Sequence, residues 1–289
     1  MDVNEFERGD SFPQSVGFRR SRREGEEGQP TRRLAYVELR EIIGLSLWAG
    51  QMLLQNGASS LRTEETTHRI GTGLGCDWMD VIVTPDSLIV TATDGEDFRT
   101  KARRVVRLGA NMGRITALSE LGHAVAEGRA DRVQVQARLR AIDAAPKDYN
   151  RWLVVFLVGL ACAAFSRLFG GDWPVFGVTL VAASVAMFTR QELEKRYFNR
   201  YLVVATVAFI GGLLASGARL VTDAANVNIA IAATALLLVP GVPLINSAQD
   251  FIRGYTGNGL RRGMSGLLIS LAIALGLVLA IQFAQVLTP

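Results

Sequence analysis

The sequence predicts an α-helical integral membrane protein, in which about five transmembrane helices follow a small cytoplasmic α+β domain. The first observation is a change in composition near the middle of the 289-residue chain. Arg, Glu and Asp are frequent up to residue 150, whereas beyond Trp152 charges occur only in short clusters between long apolar stretches. The second observation is that the number of basic residues alternates from one of these clusters to the next, which is typical of repeated membrane crossings.

The spans are predicted from stretches that lack charge. A charged side chain at the bilayer centre costs about 2.5–3.5 kcal/mol, and a crossing helix needs about 20 mainly apolar residues. The transmembrane domain is predicted at 146–289, and its first span contains Arg167, whose long side chain can reach the head groups. The five predicted spans are about 152–169, 173–189, 201–218, 226–248 and 264–287.

The orientation is predicted from the basic residues in the loops. They are grouped before span one, after span two and after span four, and these groups are Lys147 and Arg151, then Arg190, Lys195, Arg196 and Arg200, then Arg253, Arg261 and Arg262. The intervening loops carry only Arg167 and Arg219. Since basic loops stay in the cytoplasm, we expect a cytoplasmic N-terminus and a periplasmic C-terminus.

The N-terminal half is predicted to hold a leader and one small domain. Residues 1–33 are rich in charge, Gly and Pro and lack the apolar core of a signal peptide, so we expect a disordered leader. Residues 34–145 are predicted to form the cytoplasmic α+β domain. It opens with the uncharged stretch 42–61, interpreted as a buried helix because Gln51 and Gln55 crowd its second half. A sixth span is the alternative.

The remainder of this domain alternates between helical and strand patterns. Asp94-Gly95 is a strong hairpin signal between two predicted strands. The predicted elements are a helix from Ser60 to Gly73, strands from Asp80 to Thr84, Leu88 to Thr93 and Asp97 to Arg104, and helices from Arg114 to Glu127 and Asp131 to Ile142.

Several classes of function are disfavoured. The net charge of +4 comes largely from arginines between apolar spans, which indicates membrane topology and not nucleic-acid binding. The sequence contains no nucleophile elbow, Walker loop or zinc-binding helix, so no enzyme, catalytic residue or cofactor is predicted. Cys76, Cys162, His68 and His123 are isolated from one another in sequence, and no metal site is predicted.

The candidate site lies in span four, where Pro240, Gly241 and Pro243 interrupt an apolar stretch. Proline breaks a helix, and transporters use broken membrane helices to bind solutes. Pro243 is suited to start a new helix, whose partial positive charge would attract a carboxylate. Pro240, Gly241, Pro243 and Asn246 are therefore predicted to bind the substrate. Asp250, on the same face as Asn246, is predicted to couple transport to an ion.

A structural interpretation of the same segment remains open. Pro240 and Pro243 would then merely kink a packing helix, with Asp250 as an interface anchor paired with Arg253. The residue types alone favour the two interpretations about equally.

The chain resembles the threonine/serine exporter family, and within it the shorter YjjP-type inner-membrane subunits. The resemblance runs from about residue 34 to the end. It is carried by Gln55-Asn56-Gly57-Ala58 with Arg62 and Glu64, Thr93-Asp94-Gly95, Arg151-Trp152-Leu153-Val154, Val158-Gly159-Leu160, Ala186-Met187 with Arg190-Gln191, and above all Leu238-Val239-Pro240-Gly241-Val242-Pro243-Leu244-Ile245-Asn246.

The resemblance implies a subunit of a secondary exporter in a bacterial inner membrane. The solute would be a small carboxylate metabolite, either a succinate-type dicarboxylate or threonine and serine. It also implies a separate YjjB-like membrane subunit as partner, because longer members carry further spans beyond the equivalent of residue 289. The competing hypothesis is a membrane-anchored regulatory or scaffold protein whose soluble domain senses a ligand.

Overall fold

The computed structural model describes residues 36–95, 97–105, 109–145, 149–196, 198–221 and 223–287. The predicted leader, 1–33, lies outside the described residues. Within them the chain is mostly helical, with one small sheet near the N-terminal end. The elements are α1 (Tyr36–Gln55), α2 (Ser60–Gly73), β1 (Trp78–Val83), β2 (Ser87–Asp94), β3 (Asp97–Arg104), α3 (Met112–Ala126), α4 (Arg132–Ala144), α5 (Arg151–Leu168), α6 (Trp173–Lys195), α7 (Arg200–Ser216), α8 (Ala224–Ala235), α9 (Gly241–Ile252) and α10 (Thr256–Leu287).

The sheet is antiparallel, with β2 between β1 and β3. Its central strand alternates strictly, so that Leu88, Val90 and Ala92 are buried against the helices. Gly95 has a φ of +63°, which supports the predicted hairpin turn between β2 and β3. The predicted strands are confirmed to within two residues at each end.

Helix α1 is covered by protein on two sides. One side packs Ile42, Ile43 and Leu47 against the sheet, and the other packs Met52 and Leu53 against α3 and α4. Its apolar surface is therefore buried inside the fold. The uncharged stretch 42–61 is also not continuous, because α1 ends at Gln55 and α2 begins at Ser60. The interpretation as a buried helix is confirmed over α1, and a sixth span is not supported.

Polar side chains mark where several helices begin. Ser59 accepts a hydrogen bond from the Arg62 N–H at the start of α2, and Asn111 accepts one from Arg114 N–H at the start of α3. Asp131 forms a capping box with Gln134 before α4. These bonds satisfy first-turn amides that have no partner within the helix, and they explain why the predicted bounds of these helices lie close to the observed ones.

Among the described residues, four helices are long and apolar enough to cross a membrane: α5, α6, α7 with the 3₁₀ turn that follows it, and α10. A fifth crossing is added if α8 and α9 count as one span, although they are bent by 61°. This matches the predicted number of apolar spans. The fourth predicted span, however, is two short helices.

Two of the long helices extend beyond the predicted spans. Helix α6 continues to Lys195 through a charged last turn, and α10 begins at Thr256, eight residues before the predicted start at 264. At 1.5 Å per residue, the 32 residues of α10 extend about 48 Å, against about 30 Å for the hydrocarbon core of a bilayer. The first turns of α10 therefore reach past an apolar layer of that thickness, and there they contact the N-terminal part of the chain.

The apolar helices pack closely where glycine permits it. A Cβ atom on Gly276 of α10 would lie 2.4 Å from the Ala205 carbonyl oxygen of α7, and one on Gly159 of α5 would lie 3.0 Å from the Leu180 carbonyl oxygen of α6. Small residues at such positions let two backbones approach, which is how helices associate in a membrane.

Arg167, at the end of α5, is not extended into the apolar surface. Its guanidinium lies 4.8 Å from the centre of the Trp173 ring and donates a hydrogen bond to the Gly171 carbonyl. The charge is therefore held at the end of the helix by Trp173 and the Gly171 carbonyl.

Candidate functional site

The break between α8 and α9 contains the residues predicted to bind the substrate. Helix α8 ends at Ala235, Leu236–Leu238 form a 3₁₀ turn, and α9 begins at Gly241 after the cap residue Pro240. The new helix therefore starts two residues earlier than the start expected at Pro243. Pro243 occupies the first turn instead, where its missing N–H leaves no hydrogen bond unmade.

The carbonyl groups freed by the break have neighbours from other helices. The Leu237 oxygen accepts a hydrogen bond from Arg190 Nη1 at 3.4 Å, and Arg190 is held in turn by Glu194 at 2.9 Å. The hydroxyl of Thr234, one turn before the break, is buried without a hydrogen-bond partner. The break is thus a polar spot inside an otherwise apolar bundle.

Asn246 and Asp250 lie on the same face of α9, as predicted, and both face the loop between α1 and α2. Asn246 Nδ2 donates to the Gly57 carbonyl oxygen at 2.8 Å. Asp250 is only 1% exposed, and its Oδ1 accepts the Ser60 backbone N–H at 3.2 Å. Because Ser60 is the first residue of α2, the carboxylate lies at the positive end of that helix.

Arg262 of α10 neutralises Asp250. Its Nη1 lies 2.9 Å from Asp250 Oδ2, and its Nη2 donates to the Ala58 carbonyl oxygen at 2.9 Å. The structural interpretation of this segment paired Asp250 with Arg253, and that partner is wrong. Arg253 caps the exposed end of α9, whereas the turn at Gly254, with a φ of +83°, folds α10 back so that Arg262 reaches Asp250.

The loop that receives these side chains is tightly constrained. Gly57 has a φ of +89°, and a Cβ atom there would lie 2.8 Å from the Gly109 carbonyl oxygen. The loop backbone is also bonded to the segment before α3, through Gly109 N–H to Gln55 O at 2.7 Å and Asn111 N–H to Asn56 O at 3.0 Å. The carbonyls of Gly57 and Ala58 are therefore held in place as acceptors for Asn246 and Arg262.

Further contacts connect the start of α10 to the N-terminal part. Asn258, which is buried, donates to Ser60 Oγ at 2.8 Å and to the Val83 carbonyl oxygen at 3.0 Å. The Tyr255 hydroxyl donates to Glu64 at 2.5 Å. Burial raises the pKa of Tyr255 above its ordinary value, and the Glu64 carboxylate raises it further, so this hydroxyl stays protonated.

Sequence reasoning located Asn246 and Asp250 but missed their partners. Arg262 was read only as part of a basic loop, and Asn258 and Tyr255 were not singled out. The sequence feature that could have indicated these partners is the Gln55-Asn56-Gly57-Ala58 motif. A glycine in a turn just before a helix can adopt positive φ, and such a turn presents carbonyls and amides at one place.

No metal site is apparent in the part of the chain that the structure describes. No group of three or more His, Cys, Asp or Glu side chains there is placed to hold an ion.

A bundle of apolar helices that includes a broken helix is an arrangement found in membrane transport proteins. The family model described as "Putative threonine/serine exporter" matches residues 45–284. The chain belongs to this family.

Relatives of known description agree with the family. The chain is 33% identical over 246 residues to "Probable succinate transporter subunit YjjP" of Escherichia coli (strain K12), covering 84% of this chain and 94% of that protein. A protein of the same description from Klebsiella aerogenes is 34% identical over 247 residues, with the same coverage of both chains. The "Threonine/serine exporter" of Corynebacterium glutamicum is 23% identical over 255 residues, or 85% of this chain and 52% of that protein. No solved structure matches the chain.

Proposed function

We propose that this chain is a subunit of a secondary exporter in a bacterial inner membrane, and that it acts with a YjjB-like partner subunit to export a small carboxylate metabolite. The observation that carries the proposal is the break at Pro240, because it lies within an apolar bundle of a family whose members are named as exporters. The solute is a succinate-type dicarboxylate or threonine and serine. Relatives bear both descriptions.

We assign solute binding to Pro240, Gly241, Pro243 and Asn246. At the start of α9, Pro243 has no N–H, and the N–H groups of Gly241 and Leu244 donate to the carbonyl oxygens of Val239 and Pro240 at 2.9 and 3.2 Å. The attraction for a carboxylate therefore rests on the Val242 N–H and on the partial positive charge of the helix start. Asn246, one turn along, adds a side-chain amide on the same face as Asp250. In the described arrangement that amide is bonded to Gly57, so solute binding there requires this bond to open.

We assign ion coupling to Asp250. Its two oxygens are engaged by Arg262 and by the Ser60 amide, and it has almost no exposure to solvent. A proton or cation that binds this carboxylate competes with Arg262 for it. Occupancy of Asp250 would therefore change the contact between α9 and the N-terminal part, which is what coupling requires.

In this proposal residues 34–145 are a cytoplasmic domain and 146–289 the membrane domain, with the C-terminus in the periplasm. The contacts of α9 and α10 with Gly57, Ala58 and Ser60 would then lie at the cytoplasmic face. An exported solute enters the protein from this cytoplasmic face.

Efflux from cells tests the proposal. Cells that produce this chain with a YjjB-like subunit should export succinate or threonine, whereas cells with either subunit alone should not. Pro240→Ala should abolish export without lowering the amount of membrane-bound protein. Pro174→Ala, which alters a proline in the first turn of α6, is the matched control and should retain export. Export by the single chain would contradict the two-subunit proposal.

A second candidate, a membrane-anchored sensor, is favoured by one observation. The N-terminal part contacts α9 and α10 directly, so a ligand bound to it could change the position of these two helices. In a sensor with inert spans, Pro240→Ala and Asp250→Asn would leave function intact. In an exporter subunit both changes should impair efflux.

A further inference from the structure

The ion pair between Asp250 and Arg262 is unusually well shielded. Asp250 is 1% exposed and the Arg262 side chain is 19% exposed. By contrast, both side chains are at least 32% exposed in the pairs Arg151–Glu192 and Arg261–Asp86. Burying two charges costs desolvation energy that their attraction often does not recover, so such a pair is weak evidence for stability. Its location between α9, α10 and the α1–α2 loop indicates another role.

We propose that Arg262 is a solute-binding cation, and that the solute carboxylate replaces Asp250 on its guanidinium and so releases α9 from the α1–α2 loop. This inference rests on the proposed export of a carboxylate metabolite. It adds a residue to the binding site and identifies the described arrangement as the solute-free, closed form.

The chemistry of the guanidinium supports this exchange. Its planar set of five N–H donors matches a carboxylate, and in the closed form that role is filled by Asp250 Oδ2 on Nη1 while Nη2 is bonded to Ala58 O. A solute carboxylate offers an oxygen of the same kind to Nη1. It can therefore take the place of Asp250 without leaving the largely buried cation unpaired.

The exchange has a mechanical consequence. Without Arg262, the Ser60 amide is the one hydrogen-bond donor that the described residues provide to the buried Asp250 carboxylate. Such a carboxylate is unfavourable until it is protonated or reaches water. Movement of α9 away from Ser60 would give the carboxylate access to water, and the break at Pro240, where α8 and α9 are bent by 61°, is where α9 would pivot. Solute binding and opening at this face are therefore linked through a single pair of charges.

Three variants separate exchange from other roles when the two subunits are purified together and reconstituted in vesicles. Arg262→Gln should raise the KM for solute about 10-fold or more, because the solute carboxylate loses a charge-assisted hydrogen bond. The KM of Arg262→Lys should lie between those of Arg262→Gln and the unaltered protein, because lysine keeps the positive charge but lacks the planar set of guanidinium donors. Arg253→Gln removes an exposed arginine from the turn between α9 and α10, and its KM should stay within about twofold of that of the unaltered protein.

Asp250→Asn gives the decisive sign. If the carboxylate competes with solute for Arg262, its neutralisation should lower the KM while it also lowers the maximal rate. If Asp250 instead binds the solute directly or only orders the site, the same variant should raise the KM. A raised KM would overturn the exchange. So would unchanged KM values in all Arg262 variants accompanied only by less folded protein.

Thermal unfolding of the purified pair distinguishes failure of this inference from failure of the proposed function. Succinate or threonine should raise the Tm of the unaltered protein and of Asp250→Asn, but not of Arg262→Gln. Succinamide and threoninol, which lack the carboxylate, should raise none. Protection without transport would overturn the export proposal and leave the Arg262 site intact. Transport with equal protection of Arg262→Gln would overturn the Arg262 site alone.

Discussion

Helices α1 and α10 are both long and rich in apolar residues, but they bury those residues in different ways. In α1 the large side chains Ile42, Ile43 and Leu53 have no exposed surface. In α10 Leu267, Leu275 and Leu279 are 56–61% exposed at the surface of the bundle. Apolar composition alone therefore does not distinguish a helix that the rest of the protein covers from one whose apolar surface stays uncovered. What distinguishes them is whether other elements cover the helix.

The largest effect on stability is expected from removing volume in α1. Leu53→Ala should lower the free energy of unfolding by about 2–5 kcal/mol, because the cavity is surrounded by packed side chains of α3 and α4. Leu279→Ala removes the same atoms from a side chain that is 61% exposed and should cost less than about 1 kcal/mol. Thermal unfolding in detergent measures both. Equal losses would mean that α10 is covered as fully as α1.

A charge on the exposed face of α10 tests what surrounds that helix. Leu275→Lys should disfavour insertion by about 2.5–3.5 kcal/mol and reduce the protein that resists extraction from membranes with alkaline carbonate. Val133→Lys is the control, because Val133 of α4 is 74% exposed but belongs to the N-terminal part. If the two variants insert equally well, the exposed surface of α10 does not face lipid.

The contact between the two regions should be weakened by a buried polar substitution. Asn258→Ala leaves Ser60 Oγ and the Val83 carbonyl without their donor and should cost about 1–3 kcal/mol. Hydrogen exchange of residues 57–64 should rise accordingly. Arg261→Ala serves as the comparison, since its 3.9 Å pair with Asp86 is half exposed and contributes at most about 1 kcal/mol. Faster exchange in both variants would argue against the buried contacts as the main link.

The smallest effect on stability near neutral pH is expected at Cys76, where the prediction concerns the reactivity of the thiol. Burial raises the pKa of its thiol from 9.0 to about 12. In a Cys162→Ser background, maleimide labelling of folded protein at pH 8 should be about 1,000-fold slower than in denaturant, because the thiolate is correspondingly rare. The raised pKa leaves stability unchanged below pH 9 and lowers it as the pH rises toward 12. Rapid labelling of the folded protein would show that this core opens readily.

Much of the secondary structure could be predicted because its signals are local. Ser59 at the start of α2 and the capping box of Asp131 are read within four residues, and the alternation of β2 within eight. The extensions of α6 and α10 were missed because spans are predicted from stretches without charge, and charged helical turns beyond those stretches are then assigned to loops. The break at Pro240 was visible, yet its neighbours were not, since Arg190 and Gly57 are remote in sequence.

By itself the sequence determined where the apolar helices lie, that the fourth is broken, and which family the chain resembles. These features follow from hydropathy, proline chemistry and motifs, which are properties of short stretches. Only the tertiary structure decided which arginine pairs with Asp250. The partner is Arg262 and not Arg253, because the turn at Gly254 folds α10 against α9 and because the Ala58 carbonyl lies where Arg262 Nη2 can donate to it. Charge pairing depends on distance in space, and folding sets that distance.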